Sequence, residues 1–224
     1  MTNKSRFYTC LEILKRIKYM GEVMKIYIVR HGEDNNNYRG GWSDLPLIDI
    51  GIKQSEKLAL FLESKKKEFD IRKIISSDLN RAKQTADIIN NKLKVKIEYT
   101  YKLREMNNGR LAGMENKEAT IKYPGIYFNT LDMNERFPDG ESPIEFYNRI
   151  ISGFENIINE NKKYENILIV THGGVINIIY RYINNIKWSN KIKPIKAYNA
   201  SLFSLVINEN KRFFELENYN EFLR

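Results

Sequence analysis

The chain of 224 residues has one cysteine, Cys10, and two histidines, His31 and His172. A single cysteine cannot close an internal disulfide or build a thiolate zinc site. Two imidazoles are too few for a histidine-rich metal cluster, so neither a metal nor another cofactor is expected. Long apolar runs are missing as well, and no stretch could span a bilayer. Zinc-finger spacing, RNA-recognition aromatics and a phosphate-cradling P-loop are all absent, which argues against a nucleic-acid-binding module. No internal repeat, low-complexity linker or composition break marks a second domain.

Positive charge is in excess. Lys and Arg number 37 against 28 Asp and Glu, a formal net charge of +9. That sign suits nucleic acid, an acidic membrane surface or a phosphorylated substrate. The cations are scattered. The densest run, Lys65-Lys66-Lys67, falls where a helix should end and reads as a solvated terminus. Hydrophobic residues at 42% and charged residues at 29% describe an ordinary soluble globular chain. Residues 1–23 read as an extension ahead of the domain, either disordered or a short amphipathic helix carrying Phe7, Leu11, Leu14, Ile17 and Met20. Lys15, Arg16 and Lys18 interrupt any secretory apolar core, so a cytoplasmic location is expected. This segment holds five basic and two acidic residues, which leaves the remainder at +6.

From Met24 onward, short apolar runs alternate with helical spacing. Strands are expected at Lys25–Val29, Lys73–Ser76, Val95–Leu103 and Asn166–Thr171. Helices are expected from Asp49 to about Lys66, from Leu79 to Asn91, near Lys117–Tyr123 before Pro124, and from Gly174 to Tyr182. Ser142-Pro143-Ile144-Glu145 has the capping box and leading proline that start a helix, here one running to about Asn161. Ser201–Ile207 and Arg212–Leu216 read as a closing hairpin around Asn208–Lys211. Alternating strands and helices give an α/β domain over 24–224, a three-layer sandwich with a mainly parallel central sheet flanked by helices.

Ligands of such sheets bind beyond the carboxyl ends of the strands. Arg30-His31-Gly32-Glu33 follows the first strand, and Ser77-Asp78 with Arg81 follows the second. Arg104-Glu105 follows the third, and His172-Gly173-Gly174 the fourth. Both histidines therefore fall at strand ends, beside glycines. Two arginines and two imidazoles at one edge form an anion pocket, since guanidinium forks match phosphate oxygens. A neighbouring arginine keeps an imidazole neutral and nucleophilic, and a recessed glutamate can donate a proton. The set suits phosphoryl transfer through a covalent phosphohistidine, with arginines stabilising charge.

Val29-Arg30-His31-Gly32-Glu33 resembles the signature of the histidine phosphatase superfamily, the phosphoglycerate mutase-like proteins. Five further blocks follow in the family's order. They are Gly41–Leu47 with Gly51–Gln54, Ser76–Thr85, Leu103–Gly109 with Gly113, Asp139–Ser142 and Val170–Gly174. The resemblance implies that His31 carries the phosphoryl group while Arg30, Arg81 and His172 hold its oxygens. It implies that Glu105 acts as acid and then base, and that Asn37 and Gly173 also contact phosphate. The chain departs from the pattern at Asp34, where threonine is common, and at Ile48, which leaves Asp49 to cap the next helix. The loop from Asn37 to Gly41 is about three residues shorter than usual, which bears on Asn37 and Arg39 as ligands.

The expected activity is metal-independent hydrolysis of a phosphomonoester on a small phosphorylated metabolite. The alternatives are a cofactor-primed phosphoglycerate mutase and a catalytically idle phospholigand-binding member. The Leu103–Gly109 block, the short Gly113–Gly140 segment and the short tail after Leu216 favour the phosphatase. Substrate choice is expected to lie between Asn107 and Pro138, with Trp42, Tyr123, Tyr127 and Phe128 as walls or as simple packing. No nucleic acid or stable membrane association is expected, and a homodimer is left open.

Overall fold

β1 (Met24–Arg30) forms where its apolar run predicts, and it lies in the middle of the sheet. The computed structural model describes residues 24–162, 164, 166–207 and, as backbone, 212–215. The segment 1–23 and the turn expected at Asn208–Lys211 lie outside the described residues. After β1 come α1 (Asp49–Ser64), α2 (Lys66–Phe69), β2 (Lys73–Ser77), α3 (Asn80–Leu93) and β3 (Lys96–Thr100). Then follow α4 (Asn116–Lys122), α5 (Pro143–Glu160), β4 (Asn166–Thr171), α6 (Gly173–Ile183), β5 (Leu202–Ile207) and β6 (Arg212–Glu215).

The six strands order as β3-β2-β4-β1-β5-β6. β1, β2, β3 and β4 are mutually parallel, while β5 runs antiparallel to β1 and to β6. Side-chain alternation splits the core into two layers, one on each face. Ile26, Ile28, Ile167 and Ile169 face one side and pack with Phe146, Phe154, Ile176 and Ile179 of α5 and α6. Tyr27, Val29, Leu168 and Val170 face the other side and pack with Leu58, Leu62, Ala82 and Ile89 of α1 and α3. The result is the expected three-layer α/β sandwich.

Local chemistry moves several boundaries. The third strand ends at Thr100, and Tyr101–Leu103 is a 3₁₀ turn because the Thr100 hydroxyl accepts the Lys102 N–H. The first long helix stops at Ser64, whose hydroxyl donates to the Phe61 carbonyl, and the lysine run divides between its end and α2. Asp49 does not cap α1: Ile48 holds that position without a side-chain bond, and Asp49 lies in the first turn. No helix among the described residues is long and apolar enough to cross a membrane.

α5 begins as its sequence predicts. The Glu145 N–H donates to the Ser142 hydroxyl, and the Ser142 N–H donates to the Glu145 carboxylate at 2.8 Å. Ser142 is 2% exposed, so water cannot replace the lost bond. Ser142→Ala should cost about 1 to 2 kcal/mol, read as a lower urea midpoint. An unchanged midpoint would contradict this account of the helix start.

Candidate active site

β1 and β4 lie side by side in register, with Arg30 opposite Thr171. One residue further on, His31 and His172 leave the sheet together. The His31 N–H donates to the Thr171 carbonyl at 2.9 Å, and the two imidazole centroids are 5.0 Å apart. His31 is 4% exposed and His172 is fully buried. His31 Nδ1 lies 2.6 Å from the Gly32 carbonyl oxygen, which can only accept. The ring proton therefore sits on Nδ1, and Nε2 keeps its lone pair. The Arg81 Nε–H points at that lone pair from 3.3 Å.

Arg81 enters from the first turn of α3 and is almost wholly buried. Its fork is held by the Ser43 carbonyl at 2.9 Å and the Gly41 carbonyl at 2.7 Å. Asp34 supplies a carboxylate 3.5 Å from Nε. Arg30 donates from Nη1 to the Ala197 carbonyl at 2.7 Å, and its Nε is buried without a partner. Across from it, His172 Nε2 lies 2.8 Å from the Ser77 hydroxyl, while His172 Nδ1 is buried without a partner. The Ser77 hydroxyl oxygen also accepts from the Leu79 N–H, which joins His172 to the backbone at the end of β2. Two nitrogens buried without a partner, Arg30 Nε and His172 Nδ1, thus belong to the residues around His31. Gly173 sits beside them, and a Cβ there would lie 3.7 Å from Arg30 Nε.

Glu105 arrives after the 3₁₀ turn that follows β3 and is half-buried. Its Oε2 accepts the Gly174 N–H at 3.0 Å, and Oε1 accepts the Met106 N–H at 3.1 Å. The carboxylate rests on the N-terminus of α6, where the dipole favours negative charge. Gly174 is the glycine this contact requires, because a Cβ there would fall 2.2 Å from Oε1. Glu105 acts electrostatically on both Arg30 and Arg81, which places it in the same pocket.

The structure therefore gathers His31, His172, Arg30, Arg81, Glu105 and Gly173. Asn37 does not join them. It is exposed in a tight turn, its N–H bonded to Asn35 and its carbonyl to the Asn116 N–H. The shortened loop turns back toward α4, and no described hydrogen bond or ion pair links the Asn37 side chain to the histidines. Arg104 does not pair with Glu105, since Asp78 takes its fork at 2.6 and 2.8 Å.

Arg149 was not legible as part of the site. It donates to the carbonyls of Lys102, Arg104 and Glu105 at 3.0 to 3.2 Å and pairs with Glu141 at 2.5 Å. Trp42 is not a substrate wall but a second clamp. Its indole N–H donates to the Glu105 carbonyl at 2.7 Å, and the Arg104 guanidinium stacks on its ring. A cleft of about 240 Å³ opens beside Glu105 and Gly174. Tyr127 and Phe128 line it, whereas Trp42 and Tyr123 do not. Among the described residues, no three His, Cys, Asp or Glu side chains form a metal-ligating group.

Burial, then Arg81, then Arg30 hold His31 well below its ordinary pKa, with the Gly32 carbonyl opposing them. Burial, then Arg81 and His31, do the same to His172. Both imidazoles are neutral at neutral pH. Burial also lowers Arg30 and Arg81, and both guanidiniums stay charged. Free histidine titrates near about 6.5, so below that pH the unfolded chain binds protons that the folded chain refuses. Stability from these groups is complete above about pH 6.5 and falls as the pH drops, by up to about 1.4 kcal/mol per pH unit for each histidine. The urea midpoint should fall between about pH 6.5 and 5, and a His31→Gln, His172→Gln chain should lose that part of the slope. Parallel pH curves for the two chains would refute it.

Comparison with known proteins agrees with this geometry. The sequence profile of the histidine phosphatase superfamily, branch 1, matches residues 26–221. The chain is 36% identical to phosphoglycerate mutase-like protein 4 of Arabidopsis thaliana, over 81% of this chain and 79% of that one. It is 33% identical to a metal-independent phosphoserine phosphatase of the same plant, over 79% and 75% of the two chains. Among solved structures, Bacillus stearothermophilus YhfR superposes with a TM-score of 0.75 at 23% identity, covering 87% of this chain and 96% of its own. Two buried imidazoles beyond parallel central strands, with two arginines and a glutamate around them, agree with the profile match: this chain belongs to the histidine phosphatase superfamily.

Proposed function

We propose that the protein is a metal-independent phosphatase that hydrolyses a small phosphomonoester through a phosphohistidine on His31. One observation carries this reading: His31 Nε2 is unprotonated and faces the Arg81 Nε–H, with the other ring nitrogen locked to the Gly32 carbonyl. In the first step Nε2 attacks phosphorus as the ester P–O bond breaks. Glu105 acts as the general acid and gives a proton to the departing alkoxide oxygen. Arg30, Arg81 and His172 Nδ1 hold the non-bridging oxygens, where transition-state charge accumulates. In the second step Glu105, now a carboxylate, takes a proton from water as that water attacks phosphorus. The P–N bond breaks, phosphate leaves, and Glu105 is protonated again.

Relatives named as phosphatases and as phosphoglycerate mutases both occur in this family. Two features support hydrolysis over the mutase reading. The segment between Gly113 and Gly140 contains one helix of seven residues, α4, and the rest is turns. Among the described residues this segment thus offers one short helix to cover the cleft, and a mutase must keep water from its phosphohistidine. The catalytic groups are complete and mutually oriented, which does not favour an idle binding member.

Rapid quench with a labelled monoester should trap acid-labile, base-stable phosphate on His31. Label on a serine, or turnover that survives His31→Ala, would refute the nucleophile. Glu105→Gln should slow alkyl phosphates by roughly 10²- to 10⁴-fold and nitrophenyl phosphate much less, because a good leaving group needs no proton. Arg149 is a positioning residue in this scheme. Arg149→Met and Gly174→Ala should each steepen the dependence of kcat on leaving-group pKa in the same direction as Glu105→Gln. A uniform loss across all leaving groups would mean that these residues only hold the fold together.

A further inference from the structure

The cleft beside Glu105 contains charge that phosphate transfer does not use. Arg30, Arg81 and His172 already face the phosphoryl position. Arg39 and Lys193 line the cleft as well, and Glu105 is the one acidic residue among its lining. No described carboxylate pairs with either cation. Arg39 is not a loose surface side chain. Its backbone is pinned on both sides, the N–H to the Met114 carbonyl and the carbonyl to the Gly113 N–H, each at 2.8 Å. Its guanidinium carbon sits 4.4 Å from the centre of the Tyr127 ring. Its Nε is buried without a partner. A stacked, preoriented guanidinium with a spare donor is an anion receptor that has already lost most of its conformational freedom.

Apart from Asn108, the glycines and the Tyr127 hydroxyl, the remaining side chains of the lining are apolar. Met106, Leu111, Ile126, Phe128 and Phe137 contribute to the same cleft. Such walls suit a hydrocarbon or aromatic body better than a polyhydroxylated one, whose hydroxyls would lose water without gaining partners. The cleft begins at Glu105, so its occupant is the alcohol half of the ester.

We infer that the leaving alcohol has an apolar body and a second anionic group, and that Arg39 and Lys193 bind this anion. The substrate class is then the phosphate ester of an aromatic or otherwise apolar hydroxy acid. This inference rests on the phosphatase reading of the same site, and its test separates the two.

Two esters differ by one charge at nearly constant leaving-group pKa: 4-(carboxymethyl)phenyl phosphate and 4-(carbamoylmethyl)phenyl phosphate. In the unaltered protein kcat/KM should favour the carboxylate by about tenfold, the scale of a hydrogen bond to a charged group. The ratio should fall toward one in the Arg39→Gln, Lys193→Gln chain, and high salt should reduce it in the unaltered protein. The carboxylate ester should also be a better substrate than 3-phosphoglycerate, which has an anion but no apolar body. Calorimetric binding of both aromatic esters to His31→Ala measures the subsite without turnover and should show the same tenfold difference. A ratio near one in binding, a ratio that survives the double substitution, or a preference for 3-phosphoglycerate would overturn the inference. Absence of hydrolysis with the binding difference intact would instead overturn the phosphatase reading alone.

Discussion

The site depends on one arrangement, a buried guanidinium held against an unprotonated imidazole. A cation in a dry interior is costly unless it is paired and hydrogen-bonded. Arg81 meets that demand with the carbonyls of Gly41 and Ser43 and the carboxylate of Asp34. Those partners come from the loop between β1 and α1, so that loop must fold over the strand ends for the cation to be buried at all. Burial first, and then this cation, keep His31 from taking a proton. The buried positive charge and the unprotonated Nε2 that accepts its Nε–H are therefore two sides of one electrostatic balance.

Glu105 is held by different means. Its carboxylate lies on the amides of Met106 and Gly174, and its carbonyl is gripped by Trp42 and Arg149. Arg149 is in turn oriented by Glu141, whose own carboxylate also accepts the Asn107 N–H. The acid thus reaches the pocket through a chain of contacts from α5, while the histidines reach it directly from the sheet. Precision on that side comes from hydrogen bonds rather than from strand register.

Much of this was legible in the sequence, and the parts that were not have identifiable causes. Strand-end positions of His31, His172 and Arg30 could be read because apolar runs announce where strands stop, whereas Glu105 lies beyond a 3₁₀ turn that the expected longer third strand did not foresee. Arg81 followed from its place in the first turn of the next helix. Arg149 gave no such signal: on α5 it looks like any charged residue on an amphipathic helix, and only the tertiary fold turns it toward three carbonyls. Trp42 reads from the sequence as a wall or as simple packing, because aromatic residues fit either role, and its indole bond to the Glu105 carbonyl fixes its position. Asn37 matched a family position by count. A loop three residues shorter turns that position outward, which counting alone does not show. Between the two glycines after His172, sequence singled out Gly173, but steric room against Glu105 makes Gly174 the constrained one.

The pairing of β1 with β4 has a consequence for how the site fails. The His31 amide is bonded across to Thr171, so the phosphate pocket cannot open without parting two central strands. Solvent exchange of that amide therefore reports the opening of the whole core. The cleft wall at Ile126, Tyr127 and Phe128 hangs from turns instead and can loosen by itself. Mild heat or denaturant would first blur which ester is chosen, and only the collapse of the sheet would end the chemistry.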